Sequence, residues 1–261
     1  NPIADIKTFD DIQALINNAG EGSTVYLNGD TYIGSGSQIN ISKSLTIDGQ
    51  GATIDAQGKS RAFYINNSAN VIIKNINIIN TTSSSNNGGA IHNDYGGNLT
   101  VINSTFINTT GNDGGVIYNY YGGNLTVINS TFINTTAARH AGAIANYDGG
   151  IATVSNSNFI NCTGWAFGGA IYGFKKNLFV LNSTFINTKT TRSGTGQGGA
   201  IYVATGNINV VDSKFTNTEA QLRGGAIYGS RNINVVNSEF TDTRSVGNHA
   251  NGGAIYGSNI N

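Results

Sequence analysis

Paired carboxylates are the side chains that would cleave sugars, and the sequence offers one candidate pair. Asp94 and Asp148 follow matching isoleucines two copies apart in an internal repeat. At about 4.8 Å for each step between paired strands, roughly 10 Å separates the two positions. Inverting glycosidases hold their carboxyl groups about 6.5 to 9.5 Å apart. Since the other acidic residues are scattered, the sequence predicts no catalytic residue and no enzyme, and a polysaccharide lyase or hydrolase remains the third choice.

The sequence contains no residue pattern that is typical of a metal or cofactor site. His92, His140 and His249 occupy no two adjacent repeats, and Cys162 is the only cysteine. Structural zinc sites need about four such ligands close together. The Gly-Gly-x-Gly-x-Asp motif that binds calcium in other solenoids does not occur in the chain. We therefore predict no metal site and no cofactor, and we interpret Cys162 as a small semi-buried thiol.

Aromatic residues at one corner of successive repeats are the first candidates for ligand binding. Tyr95, Tyr120, Tyr121 and Tyr147 each come just before a Gly-Gly pair. Exposed rings beside polar groups suit the faces of sugars or a protein partner. The alternative is that these tyrosines pair along the solenoid and shield its glycine corners.

Variable connections before each Gly-Gly-Ala-Ile cluster are the second candidate region. They carry Trp165, Arg192, Arg223 and Arg244. Loops that vary on a constant scaffold are common places for recognition. The three arginines come in consecutive repeats and could hold an anionic glycan, or they could simply be solvated charges. The predicted partners are a cell-surface glycan or a surface protein of another cell.

A repeat of about 25 to 30 residues must position all of these side chains. Its Gly-Gly-Ala-Ile clusters begin at Gly88, Gly114, Ala141, Gly168, Gly198, Gly224 and Gly252, and its phenylalanines are Phe106, Phe132, Phe159, Phe185, Phe215 and Phe240. One copy cannot bury its own apolar face, so the copies must stack into a β-solenoid. We predict an all-β chain of about eight parallel coils, with inward columns of isoleucine and phenylalanine and an inward corner column formed by Asn103, Asn129, Asn156, Asn182, Asp212 and Asn237.

Unbroken periodicity predicts a single domain over residues 1–261. Residues 1–22 form an N-terminal cap, because Thr8, early acids and apolar spacing indicate a short amphipathic helix that ends at Gly20. Residues 23–80 are degenerate first coils, and residues 81–261 are regular coils. The last coil is incomplete, so we expect either that the chain continues past Asn261 or that its β-edge self-associates.

The composition of the chain limits the classes of partner that we expect. Lys plus Arg and Asp plus Glu both total 14, which gives no support for nucleic acid as a partner. No apolar run approaches the roughly 18 residues of a membrane span. Solenoids rich in asparagine and threonine are commonly exported, so we expect a secreted or cell-surface protein.

The motifs resemble those of the adhesin-like surface proteins of methanogenic archaea. The resemblance rests on repeated Gly-Gly-Ala-Ile and Asn-Ser-Thr-Phe-Ile-Asn, and on Leu45-Thr-Ile-Asp-Gly near the start. Related repeats occur in chlamydial polymorphic outer-membrane proteins, although their Phe-x-x-Asn is Phe-x-Asn here, as in Phe106-Ile107-Asn108. The resemblance implies a right-handed, single-stranded parallel β-helix of the pectate-lyase type, displayed on the cell surface, and it transfers no catalytic residue.

We therefore expect a non-catalytic, adhesin-like or cell-envelope structural β-helix. The alternative is an extracellular filament or sheath subunit that joins end to end through open β-edges.

Overall fold

The computed structural model describes residues 6–83 and 86–261, so residues 1–5 of the predicted cap and residues 84–85 lie outside the description. One helix precedes a long stack of short parallel strands. Strand β1 (Lys7–Thr8) leads into helix α1 (Phe9–Asn18). The first coils contain β2 (Thr24–Tyr26), β3 (Thr31–Ile33), β4 (Ile39–Ile41), β5 (Leu45–Asp55), β6 (Phe63–Ile65) and β7 (Val71–Ile79).

Each regular coil contains four strands, named here by their characteristic residues. The threonine strands are β8 (Thr82–Ser83), β12 (Thr110–Asp113), β16 (Thr136–His140), β20 (Thr163–Gly164), β24 (Lys189–Thr190), β28 (Glu219–Ala220) and β31 (Arg244–Ser245). The isoleucine strands are β9 (Ile91–Asp94), β13 (Ile117–Tyr120), β17 (Ile144–Tyr147), β21 (Ile171–Gly173), β25 (Ile201–Val203), β29 (Ile227–Val236) and β32 (Ile255–Ile260).

The coil is completed by two further sets. The valine strands are β10 (Leu99–Ile102), β14 (Leu125–Ile128), β18 (Ala152–Ser155), β22 (Leu178–Leu181) and β26 (Ile208–Val211). The phenylalanine strands are β11 (Thr105–Ile107), β15 (Thr131–Ile133), β19 (Asn158–Ile160), β23 (Thr184–Ile186), β27 (Lys214–Thr216) and β30 (Glu239–Thr241). The threonine strands form a 7-stranded sheet and all other strands form a 25-stranded sheet, in which every strand pairing is parallel.

The predicted parallel β-helix is confirmed, but the predicted number of coils is too low. The solenoid has about ten turns rather than eight. Residues near the N-terminus account for the difference, because β2 and β3 already pair in parallel with β5, and β4 pairs with β6. The sequence of these first turns lacks the Gly-Gly-Ala-Ile motif, but their strands still pair through backbone hydrogen bonds.

Helix α1 covers the N-terminal end of the core, as predicted. The backbone N–H of Thr8 donates to the Asp11 carboxylate at 2.6 Å, which satisfies one free donor at the start of the helix. Phe9, Ile12 and Ile16 are buried and join the continuous core of the solenoid. The helices of the described residues include none that is long and apolar enough to cross a membrane.

The predicted inward columns of isoleucine and phenylalanine are confirmed. The phenylalanine rings from Phe106 to Phe240 stack along the axis with centroids 4.7 to 5.1 Å apart. Cys162, interpreted from the sequence as semi-buried, is fully buried beside this column, in register with Thr135. Burial raises the pKa of its thiol to about 12. The thiol therefore stays protonated and unreactive at neutral pH.

The prediction of an inward asparagine column at the corner is wrong. Asn103, Asn129 and Asn156 adopt left-handed conformations with φ of 48° to 49°, and their side chains are exposed. The serine that follows each of them is buried instead. Ser130 Oγ donates to the Ile128 carbonyl at 2.9 Å and accepts the N–H of Ser104 from the preceding coil at 3.3 Å. The left-handed residue reverses the side-chain alternation, so the serine satisfies the corner and the asparagine faces water.

The last described strand, β32, pairs in parallel with β29. Phe240 and Ile255 are only partly buried against the core, and Ile260 is 50% exposed. Self-association through this edge stays a prediction.

Candidate functional site

A column of aromatic side chains runs along the isoleucine strands. Each isoleucine points inward, so the next residue points outward. Strand register aligns these outward residues into what we call the tyrosine column: Tyr64, His92, Tyr118, Ala145, Tyr172, Tyr202, Tyr228 and Tyr256. Tyr172, Tyr202, Tyr228 and Tyr256 stack with centroids 4.8 to 5.6 Å apart. This column was not predicted, although tyrosine follows most of the isoleucines at the repeat spacing.

Ala145 interrupts the column, and aromatic residues from elsewhere fill the gap. The Tyr147 ring lies 6.2 Å from Tyr118 and 6.0 Å from Tyr172. The His140 ring stacks on Tyr172 at 4.8 Å and on Phe167 at 5.2 Å. The ring contacts are therefore continuous from Tyr64 to Tyr256, and within them Tyr118 and Tyr172 are buried, each only 5% exposed.

Asp113 lies beside both His140 and Arg139. His140 Nδ1 lies 2.8 Å from one carboxylate oxygen of Asp113, and Arg139 contacts the other oxygen at 3.2 Å. Asp113 is buried, so its charge needs these partners. Burial, with a smaller effect of Asp113, raises the pKa of Tyr118. Burial also raises the pKa of Tyr202 to about 12. The phenols of Tyr118 and Tyr202 therefore stay neutral at pH 7.

The four predicted corner tyrosines come together beside this column. Tyr95 and Tyr121 stack at 5.2 Å with an interplanar angle of 10°. The Tyr120 ring lies 4.6 Å from Tyr121 and 6.1 Å from Tyr147. Tyr95 is 58% exposed and Tyr121 is 48% exposed, whereas Tyr120 and Tyr147 are half-buried. The prediction of exposed aromatic corners therefore applies best to the first two residues, and the alternative of ring pairing along the solenoid is also realised.

A buried asparagine ladder holds the corners that carry Tyr95 and Tyr121. Asn93 Nδ2 donates to Asn119 Oδ1 at 2.7 Å, and Asn119 Nδ2 donates to Asn146 Oδ1 at 2.8 Å. Asn119 Nδ2 also donates to the Gly123 carbonyl, across the turn, at 3.0 Å. A Cβ at Gly122 would lie 2.1 Å from Asn119 Oδ1, so this turn requires glycine. This ladder was not predicted from the sequence.

Trp165 and Arg192, from the variable connections, form one contact. The Arg192 guanidinium lies 4.5 Å from the centre of the Trp165 ring, and the ring is 44% exposed. Phe167, two residues after Trp165, stacks on Tyr202 at 4.6 Å. The pair therefore lies on a loop that joins the aromatic surface.

The three arginines of the variable connections have separate partners. Arg223 lies over the Tyr256 ring at 4.9 Å, in register with Gln197. Arg244 pairs with Glu219 at 2.8 Å on the threonine strands, so its charge is compensated. The connections differ in length, which places the three side chains in different columns.

The two candidate catalytic carboxylates are each engaged by another side chain. Asp94 accepts the Tyr64 hydroxyl at 2.5 Å, and Asp148 pairs with Lys175 at 2.7 Å. Within residues 6–83 and 86–261, no group of three or more His, Cys, Asp or Glu side chains could hold a metal ion.

Comparison with protein-family models, with curated proteins and with solved structures finds no match to the chain. The interpretation of this surface therefore rests on its geometry.

His92 is expected to make the folded chain sensitive to acid. Burial, and then the charge of Arg61, lower the pKa of His92 from 6.5 to about 4. The folded state thus binds the His92 proton less readily than the unfolded chain does. The contribution of neutral His92 to the free energy of unfolding is fully present above pH 6.5. It is lost as the pH drops towards 4, and the loss is about 2 kcal/mol after allowance for partial exposure of the ring.

Urea unfolding between pH 4 and pH 7 measures this effect. His92→Gln should flatten the pH dependence, because glutamine still accepts the Arg61 hydrogen bond without titrating. His249→Gln is the matched control at an exposed histidine and should leave the profile unchanged. Equal profiles for the wild type and His92→Gln would contradict the prediction.

Proposed function

We propose that the chain is a non-catalytic recognition module of a secreted or cell-surface protein, adhesin-like in its role, that binds a glycan along its aromatic face. The stacked, exposed pair of Tyr95 and Tyr121 is the observation that carries this proposal. Sugar rings present C–H groups to flat aromatic surfaces, and neighbouring polar groups fix their orientation. The resemblance to archaeal adhesin-like proteins agrees with such a role.

The backbone at the same corner supports the proposal. Tyr95 and Tyr121 have φ of 50° and 44°, a conformation that costs a residue with a Cβ roughly 1 kcal/mol or more. Both side chains are largely exposed, so burial in the core does not offset this cost. A ligand that lies across the paired rings would provide an advantage for keeping aromatic residues here.

The engagement of Asp94 by Tyr64 and of Asp148 by Lys175 favours a binding module over an enzyme. A general acid and a general base need free access to the substrate. Here each carboxylate stabilises a neighbouring side chain of the surface.

Replacing Tyr95 and Tyr121 together with serine is expected to weaken glycan binding about tenfold or more. Each ring contributes about 0.5 to 1.5 kcal/mol of stacking, and both are lost. The melting curve should change little, because the two rings lie outside the core. Binding is measured on a glycan array and on whole cells.

Tyr26→Ser is the matched control, since Tyr26 is 53% exposed and lies on β2, away from the aromatic face. It should bind like the wild type. Undiminished binding by the Tyr95 and Tyr121 double variant would remove this face from consideration and direct attention to the Trp165 loop.

A further inference from the structure

A polar cavity lies at the N-terminal end of the tyrosine column. Its volume is about 460 Å³, within the range of small-ligand pockets. Gln38, Arg61, Tyr64, His92, Asp94 and Asn112 contribute to its wall. A second cavity of about 330 Å³ shares Gln38 and Arg61 and adds Lys59. The two cavities form a groove across several coils, separate from the exposed pair of Tyr95 and Tyr121.

Arg61 is a buried cation in this groove without an acidic partner. The residue is only 8% exposed. One guanidinium nitrogen donates to His92 Nδ1 at 2.7 Å and another to Ser83 Oγ at 3.0 Å. Across the described part of the chain, no carboxylate lies within 4.0 Å of Arg61. Buried arginines are normally paired with an acidic group, so the guanidinium of Arg61 can pair with an anionic ligand.

None of the described neighbours of Arg61 forms a salt bridge with it. Asp94 lines the same cavity, and its charge acts on Arg61 from beyond salt-bridge distance. Its Oδ2 atom accepts the Tyr64 hydroxyl at 2.5 Å. This hydrogen bond raises the pKa of Tyr64 to about 12, so the phenol stays protonated and keeps the carboxylate engaged. His92 is neutral at pH 7 because its pKa is about 4, and its Nδ1 atom accepts a hydrogen bond from Arg61. Arg61 therefore keeps both its charge and spare N–H donors.

The rest of the wall suits a sugar. Gln38, Asn87 and Asn112 line the cavity with side-chain amides. Gln38 Nε2 donates to Asn40 Oδ1, and Asn112 Nδ2 donates to Asn87 Oδ1, so the oxygens of Gln38 and Asn112 can accept hydrogen bonds from sugar hydroxyls. The rings of Tyr64 and His92 meet edge to face at 5.3 Å and continue into the tyrosine column through Tyr118. A planar carboxylate or a sulfate matches the fork of the guanidinium.

We propose that this cavity binds the carboxylate or sulfate group of an acidic sugar, with Arg61 as the partner of the anion and the amide side chains as partners of the sugar hydroxyls. This inference rests on the proposed glycan-binding function and names its ligand class. The acidic residue of the glycan occupies the cavity, and its neutral residues extend over the exposed rings of Tyr95 and Tyr121.

Isothermal titration calorimetry on the whole chain tests the proposal with three probes. These are a glucuronate-terminated oligosaccharide, its glucose-terminated counterpart and inorganic sulfate. We expect the acidic oligosaccharide to bind at least tenfold more tightly than either of the other probes. Arg61→Gln should abolish this preference. Arg231→Gln, at an exposed arginine on β29, is the matched control and should keep it.

A second variant protects the test against misfolding of Arg61→Gln. Gln38 is at the edge of the cavity and outside the hydrophobic core, so Gln38→Ala should fold normally and weaken binding of the acidic probe several-fold. Circular dichroism melting curves establish that each variant is folded. Equal affinity for the acidic and neutral oligosaccharides would overturn the proposal, and so would a preference retained in Arg61→Gln. Sulfate binding as tightly as the acidic oligosaccharide would also overturn it, because the amides would then not recognise a sugar.

The outcome also separates this inference from the proposed function. If binding of the neutral oligosaccharide depends on Tyr95 and Tyr121 while no acidic preference appears, the inference fails and the function stands. If the chain binds neither oligosaccharide, nor any glycan on the array, both fail.

Discussion

Replacing Phe159 with alanine is expected to lower the free energy of unfolding by about 3 to 5 kcal/mol. The Phe159 side chain is fully buried, and its ring stacks between Phe132 and Phe185 at 4.7 Å on either side. Strand β19 pairs with β15 and β23, so the backbone ladder fixes the spacing of the neighbouring rings. The surrounding residues cannot collapse into the cavity, and the full cost of the lost contacts remains.

Urea unfolding followed by circular dichroism measures this loss. Phe179→Ala is the matched control, because Phe179 lies half-buried on the outer side of β22 in the next coil. The control should cost about 1 kcal/mol or less. Similar losses for the two variants would mean that the inward column does not carry the stability of the solenoid.

Asn119→Asp is expected to cost about 3 to 5 kcal/mol at pH 7, although it changes the side-chain volume very little. Asn119 is fully buried, and its NH₂ group donates to Asn146 Oδ1 and to the Gly123 carbonyl. A carboxylate cannot donate either bond, so the variant would bury a negative charge against two oxygen atoms. The lost hydrogen bonds of Asn119 support the turn that carries Tyr121, so glycan binding should weaken along with stability.

The pH dependence of this variant identifies the cause. Burial favours the neutral carboxylic acid in the folded state, so the pKa of the introduced group rises above its unfolded value. The relative stability of Asn119→Asp is therefore greatest at low pH and is lost as the pH rises. Asn108→Asp is the matched control in an exposed ladder, where Asn108 donates to Asn80 at 3.4 Å and accepts from Asn134 at 3.3 Å. It should cost less than about 1 kcal/mol, and an equal loss at Asn108 would contradict the role given to burial.

Much of the architecture could be predicted because it follows from local alternation repeated many times. Leu99 and Val101 share one side of their strand, and Phe106 recurs at the same place in each coil, so their inward positions are readable from one copy. Helix α1 was predictable from its apolar spacing and its early acids. The number of coils was not, because the first turns are held by backbone pairing between sequences that lack the motif.

The candidate site was predictable only in part. The Gly-Gly corners indicated Tyr95 and Tyr121, since glycine pairs mark turns and neighbouring tyrosines tend to be exposed there. The tyrosine column was overlooked, because a residue after an inward isoleucine reads as an ordinary surface position within one copy. The separate partners of Arg192, Arg223 and Arg244 could not be foreseen, since they depend on the lengths of three different loops.

The sequence by itself determined the stacked parallel coils and their inward columns, because a repeat that cannot bury its apolar face alone must pack against its own copies. Only the tertiary structure decided which side chains meet across coils. The gap at Ala145 is filled by Tyr147 and His140, the corner serines replace the asparagines inside, and Arg61 is buried beside a neutral His92. These contacts join residues about one coil apart, so they are set by strand register and loop length, which no single copy of the repeat specifies.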